Sequence, residues 1–137
     1  MKKIIFFLIV ILFATETVYS QVHITTNLRQ EGKFNKLTKV YDSAFKDNKE
    51  STVFEFDRDF TVLKHTAINK TTWYLIKSLK KDTKSGCWEF DILSERGYSY
   101  FMIIDILNGN IRFVYRASNE TYMAQYTIDR FWVDKNK

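Results

Sequence analysis

Apolar residues at every second position constrain the fold of this chain more than any other feature, and this pattern begins at Ser51. Side chains alternate across a β-strand, so the spacing predicts strands that bury one face. The runs are rich in β-branched and aromatic residues, and turn-forming residues separate them. Seven strands are predicted, at residues 52–57, 60–66, 72–79, 87–93, 98–107, 110–116 and 121–128. Their short connections predict an all-β domain built as an antiparallel meander.

The pair Asn108-Gly109 predicts a two-residue hairpin turn, because both residues tolerate positive φ. Such a turn places Asp105 opposite Arg112, and the opposite charges of these side chains support the register. It also places Met102 opposite Tyr115. The predicted inner face of this hairpin consists of Tyr98, Tyr100, Met102, Ile104, Ile106, Ile111, Phe113 and Tyr115.

The other registers follow from the requirement that apolar faces coincide, because a one-residue slip turns every side chain over. A three- or five-residue loop around residues 94–96 and a four-residue loop at 117–120 satisfy this requirement. A seven-residue loop at 80–86 also satisfies it and sets Lys77 opposite Glu89. Five strands then share one inner face, and we expect the sheet to curve into a small barrel or to stay half-open.

Residues 21–50 are compatible with two structures. Phe34, Leu37 and Tyr41 lie at helix-like spacing and allow a short helix that continues to Ala44 or Phe45. Residues 22–26 and 38–41 are equally compatible with short strands. The sequence leaves both alternatives open.

The first 20 residues have the layout of a secretory signal peptide. Lys2 and Lys3 precede an unbroken apolar run at residues 4–14, and a more polar stretch leads to a cleavage point after Ser20. A membrane-spanning helix needs about 20 apolar residues, which is more than this run supplies. We expect an exported protein, periplasmic or extracellular, whose residues 21–137 form one β-rich domain without a transmembrane segment.

Composition and motifs exclude several kinds of functional site. Cys87 is the only cysteine, so no disulfide can form within the chain. The net charge of +5 comes from scattered basic residues, without the basic stripe that is typical of nucleic-acid binding. His23 and His65 match no metal-ligand spacing, and no nucleophile motif, phosphate loop or cofactor fingerprint occurs. The sequence therefore predicts no cofactor, no metal and no nucleic-acid partner, and it gives no argument for an enzyme.

Tyrosine is the residue type that points to a binding site. Apart from Tyr41, every tyrosine of residues 21–137 lies on the predicted inner face. A buried phenol hydroxyl without a partner costs about 1 to 3 kcal/mol, so these tyrosines indicate a face that is partly wet. A cup for a small amphipathic ligand fits this pattern, and so does a filled core with tyrosines at its rim. The candidate ligand-binding residues are Tyr74, Trp88, Tyr98, Tyr100, Met102, Tyr115, Tyr122 and Tyr126.

Four apolar residues fall on the predicted outer face instead: Phe101, Ile103, Val114 and Met123. We expect them to be covered by residues 21–50, by the segment 131–133 or by a protein partner. If a protein partner covers these four residues, they indicate a role in protein interaction, such as that of an inhibitor. The sequence thus favours an extracytoplasmic binding module, with a protein-interaction role as the first alternative and an enzyme of unknown class as the second.

Three segments carry a resemblance to known proteins. Residues 54–61, the triplet at 64–66 and residues 111–115 look like those of a group of short exported bacterial proteins of unassigned function. In architecture alone, residues 52–133 also resemble lipocalin-like β-meanders that enclose small ligands. The resemblance implies a β-meander and assigns no functional residue.

Overall fold

A computed structural model of the chain describes residues 22–41, 46–82 and 84–134. Within these residues there is no helix, and the chain forms ten strands. The strands are β1 (Val22–Asn35), β2 (Val40–Tyr41), β3 (Lys46–Asn48), β4 (Thr52–Phe56), β5 (Val62–Ala67), β6 (Lys70–Asp82), β7 (Cys87–Ser94), β8 (Ser99–Asp105), β9 (Asn110–Ala117) and β10 (Glu120–Val133). All seven predicted strands are present, with ends that differ by a few residues.

The strands form an antiparallel sheet that closes into a barrel of eight strands. From β4 to β10 each strand pairs with the next, and β1 pairs with both β4 and β10. The short strands β2 and β3 both pair with β1. The prediction of an all-β antiparallel meander is confirmed, and of the two shapes expected the closed barrel is the one formed.

In the β8–β9 hairpin the observed register differs from the predicted one. Asp105 pairs with Asn110, so the turn has four residues, 106–109, and Met102 lies opposite Phe113 rather than opposite Tyr115. The Asp105 carboxylate accepts hydrogen bonds from the backbone N and from Nδ2 of Asn108, at 3.1 and 2.8 Å. These bonds favour the longer turn, because an aspartate side chain stabilises a turn by bonding to backbone two or three residues ahead.

The consequences of this correction are small because the error is two residues. An even shift leaves every side chain on its own face, so Met102 and Ile104 still face the interior and are fully buried. Ile106 is an exception, since it lies in the turn and is partly exposed. Asp105 and Arg112 still form an ion pair, at 3.6 Å, although they are not directly opposite.

The β6–β7 hairpin also differs from prediction. Asp82 pairs with Cys87 and Lys80 pairs with Glu89, so Lys77 does not lie opposite Glu89. The register then shifts between Ile76 and Ser78, which leaves Lys77 as an extra residue in the strand. This bulge returns Tyr74 and Ile76 to the inner face, where they were expected.

The other two predicted registers are confirmed. The β7–β8 loop covers residues 95–98, and a hydrogen bond from Ser94 N to Tyr98 O leaves three residues, 95–97, in the tight turn, where Gly97 has a φ of +88°. In the β9–β10 hairpin Tyr122 pairs with Tyr115, as expected. The turn there is Ser118-Asn119, shorter than the predicted loop, and the register is the same.

The N-terminal region adopts the strand alternative. Residues 34–41 form the end of β1, a turn and β2, so the short helix expected as one alternative is wrong for these residues. Ala44 and Phe45 lie outside the described residues, as does the predicted signal peptide at 1–20.

The inner face is a packed core over most of its length. Phe54, Phe56 and Phe90 are fully buried there, and the rings of Phe56 and Phe90 lie 5.2 Å apart. One end of the barrel, called here the tyrosine end, carries the turns at 68–69, 95–97 and 118–119. The other, called the terminal end, carries the turns at 57–61 and 106–109 together with Val22 and Val133.

Candidate functional site

Four tyrosines line the inside of the barrel at the tyrosine end in a continuous row. The ring of Tyr100 lies 5.8 Å from that of Tyr74 and 5.7 Å from that of Tyr115. Tyr115 stacks in turn on Tyr122, at 5.6 Å. Alternation along β6, β8, β9 and β10 brings these residues to one face, and the pairing of the strands places them side by side.

Phe113 forms a floor beneath this row. Its ring lies 6.0 Å from Tyr74, 6.2 Å from Tyr100 and 5.9 Å from Tyr126. Below it Phe54 stacks at 5.7 Å, and the core is closed from there to the terminal end. The open space therefore lies at the tyrosine end, with the tyrosines as its rim and a filled core beneath.

An arginine and a histidine lie beside Tyr126, a fifth tyrosine of the inner face, which is buried. Arg29 donates from Nε to the Tyr126 hydroxyl at 3.1 Å, and its guanidinium forms an ion pair with Glu31. The imidazole of His65 stacks flat on Phe54 at 4.0 Å and meets the edge of Tyr126 at 5.4 Å. The Arg29 hydrogen bond satisfies the hydroxyl of Tyr126, a residue that is buried.

Burial sets the protonation of this part of the barrel. It lowers the pKa of His65 to about 4, and the positive charges of Arg29 and Lys70 act in the same direction. Burial also raises the pKa values of Tyr74 and Tyr100. At neutral pH the imidazole and the phenols are therefore uncharged. Nε2 of His65 is buried, and no described residue forms a hydrogen bond with it.

A first cavity of about 370 Å³ opens between the start of β6 and the β7–β8 loop. Its lining residues are Lys70, Thr71, Thr72, Tyr74, Ser94, Glu95, Arg96, Tyr98 and Tyr100. Neither Lys70 nor Arg96 forms an ion pair with the part of the chain that the structure describes. Glu95 accepts a hydrogen bond from the backbone N of Trp73 at 2.9 Å. The cavity thus combines aromatic walls with two cations that have no anionic partner.

A second and wider cavity, of about 710 Å³, lies on the other side of Tyr100. The ladder between β8 and β9 ends at Phe101 and Val114, although β8 begins at Ser99 and β9 continues to Ala117. The groove occupies this part of the wall, and its lining residues are Lys77, Ser78, Asp91, Ile92, Ser99, Tyr100, Phe101, Val114, Tyr115 and Arg116. Tyr100 is therefore a wall shared by both cavities.

The predicted ligand-binding residues do not all lie at this end. Tyr74, Tyr100, Tyr115, Tyr122 and Tyr126 lie there together, as described above. Tyr98 lies in the β7–β8 loop and is 62% exposed. Met102 is fully buried in the core. Trp88 packs at the terminal end, against Phe60 at 5.8 Å and beneath the ammonium group of Lys81 at 4.5 Å.

The four residues of the predicted outer patch lie close together. Phe101 pairs with Val114, which pairs with Met123, and Ile103 lies one row away beside Arg112. Phe101 is 36% exposed, whereas Met123 is buried. Burial raises the pKa of Tyr41 in β2, and the positive charge of Arg112 on the outer face opposes this rise.

Sequence reasoning missed the cations of this site. Arg29 lies in the region whose structure was left open, and Lys70 and Arg96 lie at turns, where hydrophobic periodicity carries no information. Among the described residues, no group of three or more His, Cys, Asp or Glu side chains is placed to hold a metal ion. His23 bridges two carboxylates instead, Glu55 at 3.2 Å and Asp134 at 2.6 Å.

Comparison with family models, with curated proteins and with solved structures finds no match to this chain. No helix in the described residues is long and apolar enough to cross a membrane. The architecture alone defines the class, which is that of eight-stranded antiparallel β-barrels with a filled core and an open, tyrosine-lined end.

Proposed function

We propose that this protein is an extracytoplasmic binding module that takes a small amphipathic molecule at the tyrosine end of its barrel. One observation supports this most directly, namely that Tyr100 is shared by two cavities with aromatic lining, the first of which carries Lys70 and Arg96 without an ion-pair partner among the described residues. The first cavity alone has the volume of a small-molecule site, for which about 300 to 1,000 Å³ is usual.

The lining residues favour a particular chemistry in the ligand. The faces of Tyr74 and Tyr100 offer apolar area with little loss of side-chain freedom, which suits a flat or ring-containing body. Lys70 and Arg96 offer charge to an anionic group, and their charges are not neutralised by carboxylates of the described chain. The proposed ligand is therefore an apolar or aromatic molecule with one acidic group.

The packed core argues against a ligand that enters deep into the barrel. Met102, Ile111 and Phe90 are fully buried beneath the Phe113 floor, and their packing leaves the open space to the tyrosine end. A long alkyl chain threaded along the barrel axis would have to displace these side chains. The proposed site is thus a shallow one, shaped by the rim tyrosines.

The test is a fluorescence titration with anilinonaphthalene sulfonate, a probe with apolar rings and a sulfonate. We expect saturable binding to the folded protein and a loss of about tenfold or more in affinity for Tyr100→Ala, because aromatic walls supply most of the contact area in such sites. Leu107→Ala is the matched control, since Leu107 is exposed at the terminal end.

The control separates site binding from general stickiness of the protein. Equal loss in Tyr100→Ala and Leu107→Ala would contradict the proposal, and so would wild-type affinity in Tyr100→Ala. A thermal unfolding scan of each variant shows that the change in affinity belongs to a folded protein.

A further inference from the structure

Two large apolar side chains stand exposed beside the first cavity. Ile68, in the β5–β6 turn, is 82% exposed, and Tyr98, in the β7–β8 loop, is 62% exposed. The start of β6 and the β7–β8 loop are adjacent, because Glu95 in the loop accepts a hydrogen bond from Trp73 N in β6, and Lys70 and Tyr98 line the same cavity. Ile68 lies two residues before Lys70. Ile68 and Tyr98 therefore belong to one surface.

This surface is also cationic. Lys70 begins β6 two residues after Ile68, and Arg96 lies two residues before Tyr98. The carboxylate of Glu95 bonds to the backbone instead of to either cation. We call Ile68, Lys70, Arg96 and Tyr98 the loop surface.

We propose that the loop surface binds peripherally to membranes that contain anionic lipids, with Ile68 entering the bilayer interface and Lys70 and Arg96 bound to lipid phosphates. The inference goes beyond the proposed ligand binding and does not require it. It assigns the barrel an orientation, with the mouth of the first cavity against the bilayer.

The combination of side chains favours a bilayer over a protein partner. An isolated aliphatic side chain on a turn inserts readily between lipids, whereas a stable protein interface needs a broad patch with a buried centre. Tyrosine prefers the level of the lipid headgroups because its ring is apolar and its hydroxyl is polar. Each cation close to an anionic lipid surface strengthens binding by about fivefold.

The test is co-sedimentation with vesicles of two compositions, phosphatidylcholine alone and phosphatidylcholine mixed with phosphatidylglycerol. We expect the wild-type protein to sediment with the mixed vesicles, to remain in solution with phosphatidylcholine alone, and to be released by high salt. Ile68→Asn is expected to weaken binding by about tenfold or more, because it removes the inserted apolar side chain.

Leu107→Asn provides the matched control. Leu107 is also an exposed aliphatic residue in a hairpin turn, 73% exposed, but lies at the terminal end. Its replacement is expected to leave vesicle binding unchanged. Lys70→Gln combined with Arg96→Gln is expected to reduce affinity for the mixed vesicles by about tenfold to thirtyfold.

Three outcomes overturn the inference. These are absence of binding to the mixed vesicles at low salt, equal loss of binding in Ile68→Asn and Leu107→Asn, and wild-type binding in Ile68→Asn. Absence of binding to the mixed vesicles would favour an acidic protein as the partner of the loop surface. Tyr100→Ala separates this inference from the proposed function, since it should lose the fluorescent probe and keep vesicle binding.

Discussion

The buried position of His65 in the barrel favours the neutral form of its imidazole. Its imidazole stacks on Phe54 and meets the edge of Tyr126, and Arg29 and Lys70 add positive charge nearby. A protonated imidazole would need water or a carboxylate at this place, and its Nε2 has no hydrogen-bond partner in the described part of the chain. The neutral form is therefore the one that the fold accommodates.

The stability of the protein should consequently depend on the protonation of His65. The fold lowers its pKa to about 4, from the ordinary histidine value of 6.5, so the unfolded chain binds the proton more tightly. Stability is then complete above pH 6.5 and is lost as the pH falls toward 4, by up to about 3 kcal/mol.

The measurement for this prediction is urea unfolding of the wild-type protein and His65→Phe across this pH range. The variant keeps an aromatic ring on Phe54 and lacks the titrating group, so the difference between the two curves isolates His65. Carboxylates titrate in both proteins and cancel. A difference in the free energy of unfolding that does not change between pH 6.5 and 4 would disprove the prediction.

At the scale of the elements, local sequence signals predict hairpins where one residue fixes the loop. Gly97 has a positive φ, as a tight loop between β7 and β8 requires, although the coincidence of apolar faces allows a loop of three or five residues. The β8–β9 turn is predicted two residues too short, because a side-chain contact between Asp105 and Asn108 decides its length. The spacing of apolar residues does not predict such a contact. The inner face survives this error because the error is even.

The candidate site is predictable to the same extent. Alternation within strands identifies the tyrosines, since each lies on the apolar face of its own strand. It cannot place Arg29, which faces Tyr126 only because the register of β1 shifts between Thr26 and Leu28. It also cannot separate the two ends of the barrel, so Trp88 is grouped with tyrosines that lie far from it along the barrel axis.

In the β9–β10 turn the sequence fits the backbone poorly. Ser118 and Asn119 both have positive φ, 52° and 64°, a geometry that asparagine followed by glycine adopts at least cost. Ser118→Asn combined with Asn119→Gly is therefore expected to raise the free energy of unfolding by about 1 kcal/mol.

Asn69→Gly is the matched control in the β5–β6 hairpin, whose two-residue turn has no residue with positive φ. There glycine relieves no strain and adds freedom to the unfolded chain, so the free energy of unfolding should fall slightly. Chemical unfolding of both variants measures the contrast. Equal effects in the two turns would show that backbone strain at Ser118 and Asn119 does not limit stability.

At the scale of the whole molecule, β1 is the strand that makes the sheet a barrel. It pairs with β4 along one edge and with β10 along the other, so neither edge of the meander stays open. The first described strand thereby meets the last, and the closure depends on contacts between residues about as far apart in sequence as the domain allows. Sequence pattern alone predicts the curved sheet and leaves this closure undecided.

A disulfide between β1 and β10 would test the closure directly. Gln30 and Gln125 pair across the two strands, and Nε2 of Gln125 donates to Oε1 of Gln30 at 3.4 Å. In a Cys87→Ser background, Gln30→Cys combined with Gln125→Cys should form an intramolecular disulfide on mild oxidation. Because the bridge closes a long loop of the unfolded chain, it should raise the free energy of unfolding by about 3 kcal/mol. Urea unfolding with and without reductant measures this gain, and each single cysteine variant should show none. Failure of the bridge to form within one chain would mean that the meander is an open sheet whose first and last strands do not meet.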